Sequence, residues 1–384
     1  MAETCDVIVI GAGSVGVPAA MALAGRKLST LVIEPCPSPG QKNNKKAIGG
    51  IRATHSDFGK IRTCLRSIEI FANCKEQCGR DIGWLRNGYS YPAYSEEDEK
   101  KLKSLMEVQH SYGLDIRWVS PDDYNELVPG INMDGLRGST YSPGDGNASP
   151  LLALNAFYFR SLEDGAAYRF NERVTAIRSR NGSSFEVVSD KNSYSCRKVV
   201  NAAGNQGAEI AALAGQRYAI RPDCHEAAIS EPVRRFFGPM VVDMRPSRDS
   251  KNYYFYQNTE GQVVFCITPD PAVYGTDDDS TSEFFPMVAK RMVKLYPRLA
   301  HLKVRRAWRG QYPNTPDGFP IVGSARELPG FINAIGMCGQ GFMLGPGLGE
   351  LIARMVLEEL NEDDARILAS FDPYRDFSGM EALK

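Results

Sequence analysis

Asp6-Val-Ile-Val-Ile-Gly-Ala-Gly-Ser-Val-Gly16 decides the fold. Asp6 to Ile10 is a short apolar run rich in β-branched side chains, which suits a strand buried on both faces. Gly11, Gly13 and Gly16 then stand at the spacing G-x-G-x-x-G. Val17 to Ala24 reads as helix, and Pro18 is tolerable there because it falls in the first turn. A second apolar run, Thr30 to Ile33, ends in Glu34. Strand, glycine turn, helix, strand and acid follow in that order, a context that a chance glycine triplet lacks.

Each part answers a chemical need. Gly11 permits the tight turn, Gly13 lets backbone amides approach a pyrophosphate, and Gly16 lets the helix lie close to the strand. The helix N-terminus, entered through Ser14 and Val15, supplies free N–H groups and partial positive charge. Glu34 can accept two hydrogen bonds from a ribose diol and would repel a 2′-phosphate. The pattern reads as an adenine dinucleotide site for FAD or NAD, not NADP.

Outward from that stretch, 384 residues exceed what one hydrophobic core normally serves, so two domains are expected. The net charge of −1 offers no basic field to nucleic acid or anionic lipid. No apolar run approaches the roughly 18 residues of a membrane helix. The first strand consumes the N-terminus, which argues against a secretory signal, and nine scattered cysteines then suit a reducing cytoplasm. Cys74 and Cys78 have no second pair at ligand spacing. The histidines, His55, His110, His225 and His301, show no metal-binding spacing. No metal is expected.

After Glu34, Pro35 opens a polar loop through Asn43, Asn44, Lys45 and Lys46, which leads to Gly49, Gly50 and Ile51. Phe58 to Cys78 reads as one helix, and residues 95–112 as an amphipathic, solvated one. Residues 114–145 read as mostly loop, from their prolines and glycines. Ser149 to Leu162 reads as helix, Arg169 to Arg178 (through Val174), Phe185 to Val188 and Tyr194 to Val200 as strands. The last runs into Asn201-Ala-Ala-Gly204, where Ala202, Ala203 and Gly204 again admit a cofactor backbone. Ile220 to Phe265, rich in aromatics, reads as antiparallel strands of a separate sheet.

Near the end, the strand Phe331 to Ile335 enters a run with six glycines in fourteen residues, Gly336 to Gly349, before a helix expected over Leu351 to Leu360. A single NAD would not need this second glycine turn. A flavin ring lying over Gly336, Gly339, Gln340, Gly341, Phe342 and Met343 would, because a helix N-terminus stabilises the negative charge of the reduced ring. The run favours FAD; a packing motif at a tight helix crossing is the other reading.

These stretches, with Gly49-Gly-Ile-Arg52, Thr315-Pro-Asp317 and Gly349-Glu350, resemble the FAD-dependent D-amino-acid-oxidase-like superfamily, in the branch of sarcosine and glycine oxidases. Phe371-Asp-Pro-Tyr-Arg375 is similar to the ends of β subunits of its multimeric members, the heteromeric sarcosine oxidases and archaeal-type L-proline dehydrogenase. The resemblance implies an α/β fold, with a Rossmann-like FAD-binding domain from residues 1–85, 146–215 and 313–384. An antiparallel-sheet substrate domain is inserted as 86–145 and 216–312. It implies oxidation of an amine next to a carboxylate, on a proline, hydroxyproline, sarcosine or opine type of substrate. Arg52 corresponds to a carboxylate-binding arginine, Tyr254 to an active-site tyrosine, and His225 is a candidate base or substrate contact. Met343 and Tyr312 stand where relatives carry other carboxylate-binding residues. Gly310 replaces a cysteine that binds flavin covalently, so FAD is expected to be noncovalent. Counted without gaps, Phe265 replaces an oxygen-activating lysine, which points to a dehydrogenase that passes electrons to a partner subunit or acceptor. The multimeric relatives also leave room for an FMN at a subunit interface. Two other readings stand beside this one: a 2-hydroxyacid or glycerol-3-phosphate dehydrogenase of the same superfamily, and a non-catalytic FAD subunit that relays electrons.

Overall fold

A computed structural model describes residues 3–180, 182 and 184–383. The opening strand, Glu3–Ile10, lies inside an eight-stranded sheet, between Ser193–Asn201 and Thr30–Glu34 and parallel to both. Leu328–Ile335 and Ala167–Phe170 extend the parallel set. Ile321–Ala325 closes one edge antiparallel, and Val174–Arg180 and Ser184–Ser189 fold back beside Ser193–Asn201. Val7 and Val9 enter one apolar cluster with Leu23 and Leu348, whereas Ile8 and Ile10 enter another with Val174 and Phe185. Both faces of the strand are core, so its sequence shows no polar alternation.

Register positions the motif. Ile10 pairs with Ile33 on one side and Asn201 on the other, so three strands end level. Gly11 N–H donates to Ile33 O at 2.9 Å and Ala202 N–H to Ile10 O at 2.9 Å, which ties the three exits together. Gly11, Glu34 and Ala202 therefore emerge at one carboxyl edge, where ligands of open α/β sheets bind.

The second sheet also has eight strands, in the order Val304–Asn314, Arg221–Pro232, Gln262–Pro269, Ser250–Gln257, Met240–Asp243, Tyr89–Ala93, Gly138–Ser142 and Arg117–Val119. It is antiparallel except where Met240–Asp243 runs parallel to Tyr89–Ala93, two strands from distant segments that no hairpin joins. Alternation divides the aromatics: Tyr253 and Phe255 face a core with Phe284 and Tyr296, while Tyr254 and Tyr256 face the other side.

Several local expectations are corrected. Phe58 to Cys78 is two helices, Phe58–Ala72 and Cys74–Cys78, divided at Asn73, whose side chain donates to Glu69 O at 2.8 Å and satisfies a helix-end carbonyl. Residues 114–145 are mostly loop, as expected, but also carry two short strands, Arg117–Val119 and Gly138–Ser142, and the helix Pro121–Leu127. Pro121 opens that helix behind Ser120, whose hydroxyl accepts from Asp123 N–H at 3.2 Å. The run Arg169 to Arg178 splits into two strands around Asn171, at φ 56°.

The largest correction concerns the second glycine run. The last long helix begins at Gly341 and runs to Leu357, not from Leu351 to Leu360. Only Gly336 to Gln340 form the turn; Gly345, Gly347 and Gly349 lie on the helix. A Cβ at 345 would sit 1.9 Å from Ser14 O, and one at 347 would sit 2.3 Å from Thr63 O. These glycines let the helix press against the first glycine turn and the helix Phe58–Ala72. Gly345→Ala is therefore expected to cost about 3 kcal/mol or more of stability, because backbone on both sides must shift. Chemical denaturation measures it, and an unchanged midpoint would refute the packing argument.

Candidate functional site

A cavity of about 1200 Å³ opens between the two sheets. Most of the candidate cofactor residues lie on its wall: Gly11, Gly13, Ser14 and Val15 of the first turn; Glu34 and Pro35; Asn43, Asn44, Lys46 and Gly50. Val174, Ala202, Ala203 and Gly204 join them, with Gly339 to Met343 of the second turn. Four do not reach it. Gly16 lies behind the wall, where a Cβ would meet Gly11 O at 1.9 Å. Ile51 is fully buried in the core. Lys45 lines a separate groove and donates to Gln41 Oε1 at 3.3 Å. Gly336 packs on Thr315.

At the dinucleotide end, Gly11 takes φ 103°, and nothing lies within 4 Å of where a Cβ at Gly13 would be, so backbone there faces open space. The helix Gly16–Gly25 carries no side-chain cap, so no side chain claims its first N–H groups. Glu34 is held by two backbone donors, Ala12 N–H on Oε2 at 2.8 Å and Cys36 N–H on Oε1 at 2.9 Å. Each carboxylate oxygen keeps a lone pair for a ribose hydroxyl. Among the described wall residues, four buried polar atoms lack a hydrogen-bond partner: His225 Nδ1, Asn314 Oδ1, Gln340 Oε1 and Glu381 Oε2, the last ion-paired with Lys60. Orphaned atoms on a cavity wall fit a site shaped for a polar ligand.

The other end gathers Arg52, Tyr254 and His225 with Tyr89, Tyr91, Cys266 and Tyr312. His225 pairs through Nε2 with Asp223 Oδ1 at 3.1 Å and stacks on Tyr312 with centroids 3.7 Å apart. The Tyr312 and Tyr254 hydroxyls are 2.8 Å apart. Burial pushes both phenols far above their ordinary range, so both stay protonated at neutral pH. Phe265 turns into the core against Phe284, and its neighbour Cys266 reaches the wall instead. The position expected to replace a lysine therefore lies on the core face of the strand. Gly310 lies on the wall beside Lys46, whose ammonium is paired with Asp278.

Arg52 is held in a dense setting. Its Nη1 donates to Thr54 O and lies 3.2 Å from His55 Nδ1, and its Nη2 donates to Leu383 O at 2.6 Å. Below it, Asp145 accepts from Ala53 N–H at 2.8 Å and from the Thr54 hydroxyl. Burial raises that carboxyl to about 6. His55 is fully buried, and burial, with Arg52 and Lys60 nearby, holds its pKa well below the usual value. A neutral His55 can accept from Arg52. Sequence reasoning missed Tyr89, Tyr91 and the segment 380–383. Alternate tyrosines signalled one strand face; nothing local marked the segment.

A glycine turn at the carboxyl edge of a parallel sheet, facing a second sheet across a ligand-sized cavity, defines a dinucleotide-dependent enzyme fold. Residues 6–355 match the DAO family, FAD dependent oxidoreductase, and the chain belongs to that family. It is 24% identical over 382 residues to mouse mitochondrial sarcosine dehydrogenase; that match covers 94% of this chain but only 40% of that protein. It is 26% identical over 396 residues to one of the subunits of the opine oxidase of Rhizobium meliloti, covering 95% of this chain and 96% of that one. The solved structure of L-proline dehydrogenase from P. horikoshii superposes with a TM-score of 0.90 at 29% identity, covering 98% of both chains. Among the described residues no helix is long and apolar enough to cross a membrane, and no group of three or more His, Cys, Asp or Glu is placed to hold a metal ion.

Two outcomes are expected. Gly13→Ala leaves the melting temperature of the apoprotein unchanged but weakens FAD retention, measured by flavin released on dilution; retention equal to wild type would mean that the turn does not approach the cofactor. His55 binds its proton less well folded than unfolded, so its contribution to stability is present above the ordinary value of 6.5 and is lost as pH falls below it. The melting temperature should thus drop more steeply between about pH 7 and pH 5 than that of His55→Gln. Parallel slopes would show that His55 is not held neutral.

Proposed function

We propose that this chain oxidises the C–N bond of a small amino acid or N-alkyl amino acid, of proline, hydroxyproline, sarcosine or opine type, as a dehydrogenase subunit. The observation that carries the reading is the meeting of a buried guanidinium, two neutral phenols and an unpartnered imidazole nitrogen on one cavity wall, with the glycine turn before Gly341–Leu357 on the same cavity. FAD, when bound, accepts the two electrons that leave with the substrate's α-hydrogen as hydride.

The chain's own residues do the rest. Arg52 pairs with the substrate carboxylate through a planar fork suited to two oxygens. Tyr254 and Tyr312, both protonated, orient polar atoms by hydrogen bonds and do not act as bases. His225 lines the cavity and donates from Nε2 to Asp223, which leaves Nδ1 as a buried acceptor with no protein partner. Nδ1 takes the proton that an ammonium substrate must lose before its lone pair can form the C=N bond. Glu34, the first glycine turn and Gln340 with the following N–H groups hold FAD. The Gly310 position offers no nucleophile to the ring, which supports noncovalent binding. On the strand Gln262–Pro269 the wall residues are Cys266, Thr268 and Pro269, none a cation, which supports a dehydrogenase over an oxidase. The likeness to one component of opine oxidase supports partner subunits, and an FMN at a subunit interface is part of the same proposal. The nine free cysteines fit a reducing cytoplasm.

Anaerobic bleaching of the bound flavin by L-proline, hydroxyproline, sarcosine and opines, but not by L-2-hydroxyglutarate or glycerol 3-phosphate, is the expected result. Bleaching only by the hydroxy compounds would replace this reading, and bleaching by none would favour an electron-relay subunit. Dye reduction should outrun peroxide formation on the active substrate; fast peroxide production would make the chain an oxidase. His225→Asn should slow flavin reduction about 100-fold with little change in substrate affinity, and an unchanged rate would remove Nδ1 from the proton's path.

A further inference from the structure

We infer that the segment Met380 to Leu383 competes with the substrate for Arg52, and that substrate binds by displacing Leu383. The inference rests on the reading of Arg52 as the carboxylate anchor. Beyond Gly379, at φ 94°, Met380 is 77% exposed, and the chain then turns inward, so that Leu383 is only 5% exposed. Glu381 fixes the turn. Its carboxylate pairs with Lys60 at 3.3 Å, with both side chains fully buried, and accepts from Ser56 N–H at 2.9 Å and Ser56 Oγ at 2.7 Å.

Leu383 is the part that meets the site. Its carbonyl accepts from Arg52 Nη2 at 2.6 Å, where a carboxylate oxygen would sit. Its side chain joins the buried cluster of Tyr89, Tyr91, Met240 and Val242, all four on the cavity wall. One residue of the chain thus presents an acceptor oxygen to the guanidinium and an apolar branch to an aromatic wall. A bound amino acid presents the same two groups, and the two cannot share the space. The contest is balanced by opposite strengths. A carboxylate carries full charge and binds the fork better than a neutral carbonyl. The segment is already tethered and keeps a leucine side chain out of water. The apparent substrate affinity is then the intrinsic one reduced by the fraction of molecules with the segment withdrawn.

The test uses the FAD-loaded chain and pyrrole-2-carboxylate, a planar carboxylate that gives up no hydride, titrated by the change in flavin absorbance. Leu383→Gly keeps the Glu381 anchor and removes the apolar hold. It is expected to lower the dissociation constant at least tenfold, which is about 1.4 kcal/mol. Truncation after Met380, combined with Lys60→Met so that no buried cation is left unpaired, is expected to lower it further. An unchanged or raised dissociation constant in both variants overturns the inference. Arg52→Ala in the truncated background separates the two readings. If it leaves affinity for the carboxylate unchanged, Arg52 is not the anchor and the functional reading of that residue fails. If it weakens binding while neither strap variant tightens it, only the competition fails.

Discussion

The contact on which the structure depends is the backbone-to-backbone approach of the helix Gly341–Leu357 to the first glycine turn. The helix Gly341–Leu357 lies so close to the first turn that a methyl group at 345 would reach 1.9 Å from the Ser14 carbonyl. That proximity joins the beginning and the end of the chain. It puts two uncapped helix N-termini on one cavity, the proposed seats of the pyrophosphate and of the flavin ring. A larger residue at Gly345 would push apart the two halves of the cavity, however well each half was formed by itself.

The second sheet supplies what the first lacks. A parallel sheet buried on both faces offers apolar side chains and backbone, not substrate chemistry. The antiparallel strands offer alternation, and one of their faces is wall. Tyr254, His225 and Tyr312 come from three different strands and meet because Arg221–Pro232 and Val304–Asn314 are direct neighbours, with His225 paired to Gly310 in register. The glycine opposite His225 admits the Lys46 side chain close to the strand, where a Cβ would lie 3.1 Å from Lys46 Cβ.

The interior near Arg52 shows how charge is kept at depth. A buried guanidinium is tolerable only where acceptors surround it. Thr54 O, a neutral His55 and Leu383 O serve as those acceptors, and Glu381 and Lys60 form a second buried pair beside them. The same low-dielectric setting makes the tyrosines neutral donors and raises Asp145. Recognition of a carboxylate here would replace one protein acceptor with a stronger, charged one.

By itself the sequence determined the nucleotide half of the molecule, because that half is local: strand, glycine turn, helix and acid lie within one short stretch, and periodicity and turn chemistry report such elements directly. Arg52 and Tyr254 became candidates by likeness to relatives, and His225 by its position near the start of the aromatic sheet. Only the tertiary structure decided which of the late glycines belong to a turn and which to a helix crossing, because a glycine that permits φ above zero and one that permits close packing look alike in sequence. It also decided that Cys266, not Phe265, faces the cavity, since alternation is set by which sheet face is core. And it brought the segment 380–383 to Arg52, a contact between residues more than 300 positions apart that no local pattern records.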